Sequence, residues 1–146
     1  MKKFLNGINS SYSNNLCFIS YNSRGFGIEK KEFCNYLISK SFVGNNIPIL
    51  CNQENFILKG NGYKIVQTFP EFYPVIKPAV KETLERGRAK NGMFIVVPQF
   101  LKNSVHDVSP MNWRIQAIVL TCNSIKILLI NSYFPVDARV CNQAAI

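Results

Sequence analysis

The sequence predicts an α/β domain built on a mixed sheet, one βαβ unit leading into an antiparallel hairpin. Three observations carry this. Two short, apolar, β-prone runs, "LCFISYN" (Leu16 to Asn22) and "NIPILCNQE" (Asn46 to Glu54), flank an amphipathic stretch, so strand, helix and strand follow one another within about forty residues. Two later runs, "RIQAIVLTC" and "SIKILLINSYFP", stand so close together that Asn123 and Ser124 must form a tight hairpin. The chain has 146 residues, of which 47% are hydrophobic, enough for one domain with a sizeable core.

Taken in order, residues 1 to 14 are polar and rich in Asn and Ser, and are expected to be a flexible arm before a domain spanning 15–146. "LCFISYN" runs into "SRGFG", a buried strand followed by a loop. In "IEKKEFCNYLIS", Phe33, Tyr36, Leu37 and Lys40 recur at helical spacing, with Glu29 and Glu32 in the first turn where acidic groups suit the helix dipole. Pro48 lies near the start of the second strand, where a missing N–H is tolerated. The two strands should be parallel, joined by a right-handed crossover. "GNGYKIVQTF" reads as an edge strand. "PEFYPVIKPAVKETLERGRAKNG" reads as Pro-broken loop with a helical turn at Ala79 to Arg86. "GMFIVVP" is a strand, and the hairpin comes after it.

Charge and cysteine usage limit the function classes. Lys and Arg number 17 against 8 Asp and Glu, a formal net charge of +9. That balance favours a polyanionic partner, nucleic acid or an anionic membrane surface. No basic amphipathic helix stands out, which argues against the membrane. "MKKFLNGINSSYSNN" has lysines but no apolar core after them, unlike a secretory signal. The most apolar run, "IKILLINSYF", is far shorter than the roughly 18 residues a spanning helix needs. The 5 cysteines are odd in number and never form C-x-x-C. They read as small buried hydrophobes in a reducing compartment, so the expected location is intracellular, in cytoplasm or nucleus.

Ligands of open α/β sheets bind beyond the C-terminal ends of the strands. The βαβ unit puts Asn22 and Glu54 there on neighbouring strands, and the last strand ends in Asn131 and Tyr133. Carboxylate and amide oxygens are hard ligands suited to Mg²⁺, and a phenol could hydrogen-bond a phosphate oxygen. Each residue also has a plainer reading. Glu54 could be the first solvated residue after a strand, and Tyr133 a rim or core aromatic. Arg24, Arg88 and Lys90 stand in glycine-punctuated loops, where they could clamp a phosphate backbone or simply be solvated. His106, in "VHDVSP", reads as a surface histidine.

"ISYNSRG", "IPILCNQENF", "GRAKNGMFIVVP", "RIQAIVL" and "ILLINSYFP" occur in that order from about Leu16 to Val140. Together they resemble the endonuclease/exonuclease/phosphatase (DNase-I-like) superfamily. The nearest resemblance is to the apurinic-endonuclease-like domain that opens the polyproteins of non-long-terminal-repeat retrotransposons. The resemblance implies the first half of a four-layer α/β/β/α sandwich and a divalent-metal-dependent DNA endonuclease. It maps the metal-binding Glu onto Glu54, the phosphate-contacting Tyr onto Tyr133 and a rim Asn onto Asn22. Mg²⁺ or Mn²⁺ in one weak site and non-specific, salt-sensitive DNA binding are the cofactor and partner it implies.

The superfamily also carries a Gly-Asp-x-Asn motif that activates water and a Ser-Asp-His motif that polarises phosphate. The two aspartates here, Asp107 and Asp137, and the single histidine, His106, stand in neither pattern. The chain is therefore expected to hold the metal half of a catalytic site and to be inactive as it stands. A non-catalytic basic nucleic-acid-binding module, or a decayed retroelement fragment, is the alternative. "KILLINSYF" is apolar on both faces of a strand and needs cover on both. The expectation is that most of the second sheet lies in the absent half, leaving a bare face through which the chain self-associates.

Overall fold

The structure, a computed structural model, describes residues 15–42, 46–80, 89–122 and 124–134. The expected arm at 1–14, Arg88 and Asn123 lie outside these residues. Strand β1 (Asn15–Asn22), helix α1 (Ile28–Phe42) and strand β2 (Asn46–Gln53) form the expected unit, with β1 and β2 parallel from Asn15↔Asn46 to Asn22↔Gln53. Pro48 lies where β2 pairs with β1 alone, so its missing N–H breaks no bond to a strand on the other side.

Helix α1 buries Cys34 and Ile38, one turn apart, against Leu50 of β2. This is not the face that Phe33 and Tyr36 pointed to. Those rings are 43% and 53% exposed. Phe33 instead packs at the flank, its centroid 5.1 Å from Tyr21 and 6.3 Å from Tyr36. A small thiol and a branched side chain let the helix approach the sheet closely, which two aromatic rings would prevent.

Two segments differ from the sequence reading. "GNGYKIVQTF" is a 3₁₀ turn, Lys59–Asn61, followed by helix α2 (Tyr63–Thr68) rather than an edge strand. Ile65 and Phe69, four apart, are both buried in the core, and the Phe69 N–H closes onto the Ile65 carbonyl at 3.0 Å. The four-residue spacing outweighs the alternation of Tyr63, Ile65 and Gln67. The expected Pro-broken loop contains strand β3 (Phe72–Lys77), paired antiparallel with β4 (Met93–Pro98). Its Pro74 is compatible with a strand because β3 is the edge of the sheet, whose order is β1-β2-β4-β3. Of the expected helical turn, Ala79 and Val80 instead form isolated bridges with Leu58 and Lys90, and 81–86 lie outside the described residues.

The hairpin does not continue this sheet. β5 (Val105–Asp107), β6 (Ile115–Cys122) and β7 (Ile125–Ser132) make a second, three-stranded antiparallel sheet. The first sheet is covered on one face by α1 and α2, with Leu50, Phe94 and Val96 in that core. Its other face, with Ile49, Ile95 and Val97, packs on Ile118, Leu120 and Leu129 of the second sheet. Strand β4, central and buried along its whole length, supplies alternate residues to both cores. The result is a mixed α/β sandwich, and part of the second sheet is already supplied by this chain. The expectation that the hairpin continues the mixed sheet is corrected here. On its outer face Leu128 and Ile130 are 59% and 56% exposed. No helix among the described residues is long and apolar enough to cross a membrane.

Candidate active site

The two sheets meet at one end around a ladder of buried amides. Gln53, the last residue of β2, donates through Nε2 to Oδ1 of Asn131 on β7 and to Oγ of Ser20 at 3.1 Å. Asn131 Nδ2 donates to the Asn52 carbonyl at 3.1 Å and to Gln116 Oε1 at 3.3 Å. Gln116 Nε2 ends the ladder on the Val75 carbonyl at 2.8 Å. Gln53, Asn131 and Gln116 are all buried. A buried amide needs its partners in place, so the ladder sets the stagger of one sheet over the other. Asn131, expected at the rim, is thus a sheet-to-sheet tie behind it.

The ladder also positions the turns at the ends of these strands. After β1, the Ser23 N–H donates to the Gln53 carbonyl at 3.0 Å and the Gly25 N–H to the Glu54 carbonyl at 2.6 Å. Three non-glycine residues of these two turns have positive φ: Arg24 at 46°, Glu54 at 54° and Phe56 at 59°. Left-handed backbone at side-chain-bearing residues costs about 1–3 kcal/mol each, and such strain clusters at functional sites. Asn22 Oδ1 accepts the Arg24 N–H at 3.2 Å, so this exposed residue shapes the turn that presents the guanidinium. Asn55 and Phe56 donate their N–H groups to the carbonyls of Gly92 and Asn91 at 3.2 and 3.0 Å, tying the Glu54 turn to the segment that carries exposed Lys90. Gly92 has φ of 81°, and a Cβ there would sit 2.5 Å from Asn55 Oδ1. A side chain is thereby excluded from that junction.

Across the sandwich, the Tyr133 N–H donates to the Arg114 carbonyl at 3.0 Å, extending the β6–β7 pairing by one step. The Tyr133 phenol titrates under the influence of the Glu54 side chain. Its pKa is raised, first by partial burial and then by the Glu54 carboxylate, while Arg24 and Arg114 pull it the other way. Glu54, Tyr133 and Arg24 are brought together, and Arg114 is a fourth member that sequence reasoning does not find. Its signal is a lone cation directly before an apolar strand, too common to single out.

The donor set is sparse for a metal. Among the described residues no three His, Cys, Asp or Glu side chains stand together. Glu54 is the carboxylate of this rim. That set fits only a cation whose other ligands are phosphate oxygens and water. His106 is exposed on β5, as expected. Asp107 accepts hydrogen bonds from the Ser109 N–H and hydroxyl.

No protein-family model matches the chain, and no curated protein matches it. Among solved structures it is similar to the crystal structure of the AP endonuclease LMAP from Leishmania major, with a TM-score of 0.55 at 17% identity. The match covers 81% of this chain and 40% of that one, so this chain spans well under half of its neighbour's length. The likeness shows the fold, a partial DNase-I-like α/β sandwich.

Proposed function

We propose that this chain binds the phosphodiester backbone of DNA at the Glu54–Tyr133 rim, as the phosphate-recognition part of an endonuclease-like site. The observation that carries the reading is the buried Gln53–Asn131 hydrogen bond, which brings Glu54 and Tyr133 to one end of the sandwich, where the Arg24 turn bonds the Glu54 carbonyl and the Arg114 carbonyl takes the Tyr133 N–H. A neutral phenol is a hydrogen-bond donor to a phosphate oxygen, and the two guanidinium groups offset phosphate charge. Glu54 would hold a divalent cation, Mg²⁺ or Mn²⁺, completed by phosphate. When bound, that ion would polarise the phosphoryl group. The chain's own residues orient the phosphate, and none of the described ones stands at the rim as a base for water. Hydrolysis by this chain alone is therefore expected to be absent or barely detectable. The solved neighbour is an AP endonuclease, which makes an abasic duplex the first substrate to try. A retroelement origin is the finer part of the reading and rests on the order of the strand-end motifs.

The test is binding of a labelled abasic duplex across a salt series. If roughly four to six phosphates are contacted, log K should fall with log[salt] by about 0.9 per contact. Arg24→Ala and Arg114→Ala together should flatten the slope by up to about two units. An unchanged slope places the contact surface elsewhere. Robust, Glu54-dependent cleavage would overturn the view that these residues bind without turning over.

A further inference from the structure

The loop between β5 and β6 is held in place on several sides, yet it presents apolar side chains to solvent. Ser109 Oγ accepts the Ala117 N–H at 3.1 Å, and Asn112 Oδ1 accepts the Arg114 N–H at 2.9 Å. From β3, Lys77 Nζ reaches across to donate to the Pro110 carbonyl and, at 2.8 Å, to the Ile115 carbonyl. On this loop Met111 is fully exposed and Trp113 is 39% exposed. The Arg114 guanidinium lies 4.3 Å from the Trp113 ring centroid. Its Nε is buried without a hydrogen-bond partner among the described residues. Arg114 is also the residue whose carbonyl takes the Tyr133 N–H, so the ring is one residue removed from the rim.

We propose that Trp113, backed by Arg114, is a stacking platform for an unpaired base of single-stranded nucleic acid whose phosphate sits at the Tyr133 rim. The inference rests on the phosphodiester reading above and adds the state of the strand to it. An indole held against a guanidinium has its orientation set before a ligand arrives, so little ordering entropy opposes stacking. Base-on-aromatic stacking tolerates any sequence, because every base has a π-face. A paired duplex shows its grooves and phosphates to a protein and keeps its base faces stacked inside. The net charge of +9 suits the backbone, and the apolar tip suits the base.

Trp113 is the only tryptophan in the chain, so its emission reports on this position alone. A short oligothymidylate should quench that emission saturably, and a duplex of equal phosphate count should quench it little. In anisotropy with a labelled oligothymidylate, Trp113→Ala should weaken binding about tenfold and Trp113→Phe should keep most of it. Unchanged affinity in Trp113→Ala, with binding still lost in Arg24→Ala, would remove the platform and leave the phosphate rim standing. Failure of every nucleic acid, single or double stranded, to bind the wild-type chain would remove both. Circular dichroism of each variant establishes that the fold is retained.

Discussion

Gln53 on β2 and Asn131 on β7, 78 positions apart in sequence, share a buried side-chain hydrogen bond that ties the two sheets together. Glu54 is the next residue after one of them and Tyr133 stands two residues after the other. The bond therefore sets how far apart the carboxylate and the phenol can be. Its geometry is transmitted over only one or two residues, on one side through Glu54, whose φ of 54° lies in the left-handed region.

Removing Asn131 should be costly. Asn131→Ala leaves Gln53 and Gln116 each short of a buried partner, and an unsatisfied buried polar group costs about 1–3 kcal/mol. Urea unfolding should show a loss of about 2–4 kcal/mol. The pair Gln53→Leu with Asn131→Leu should lose less than the sum of the single changes, because no orphaned amide then remains between them. Additive losses would mean that the two side chains do not act as a unit.

Tyr133 should remain a phenol beyond the ordinary tyrosine value of 10.0, since burial and Glu54 both raise its pKa. Ultraviolet difference titration of wild type against Tyr133→Phe isolates this group from the other tyrosines. A raised pKa in the folded state means that the phenol's contribution to stability is complete below its unfolded value and is lost as pH rises through the folded one. Glu54→Gln should move the titration of Tyr133 downward, because the Glu54 carboxylate is among the causes that raise it. No movement would separate the two residues.

Cation binding should be weak without phosphate and should depend on Glu54, a single carboxylate with no second acidic ligand among the described residues beside it. Titrating Mn²⁺ into wild type and Glu54→Gln, with and without an oligonucleotide, tests this. Binding is expected to tighten when phosphate is present and to be lost in the variant. Equal binding by both proteins excludes Glu54 as the ligand.

The outer face of the second sheet should make the isolated chain self-associate. Leu128 and Ile130 stand on that face of β7, register partners of Val119 and Ala117. Light scattering of wild type should show species larger than a monomer, and Leu128→Thr with Ile130→Thr should reduce them. Threonine keeps the β-branched shape that suits a strand while removing much of the apolar area. A monodisperse wild-type monomer that does not bind an apolar dye would show that the face is stable uncovered.

The local pattern of residues is enough to read the βαβ unit and the β6–β7 hairpin, and to place Asn22, Glu54 and Tyr133 at strand ends. Those features depend on neighbours close in sequence: apolar runs of strand length, a helical spacing between them, and polar residues where the runs stop. Helix α2 and strand β3 are not legible in the same way, because their local signals conflict. Alternation around Ile65 masks a four-residue spacing to Phe69, and Pro74 is acceptable only once β3 is known to be an edge. Which strands pair, and therefore that the hairpin forms a separate sheet, is a choice among distant partners. An apolar strand shows that both of its faces want cover without saying what covers them. Only that choice brings Arg114 and Trp113 beside the rim. Their sequence position, before an apolar strand, says nothing about Tyr133 until β6 and β7 have paired and the buried amides have set one sheet against the other.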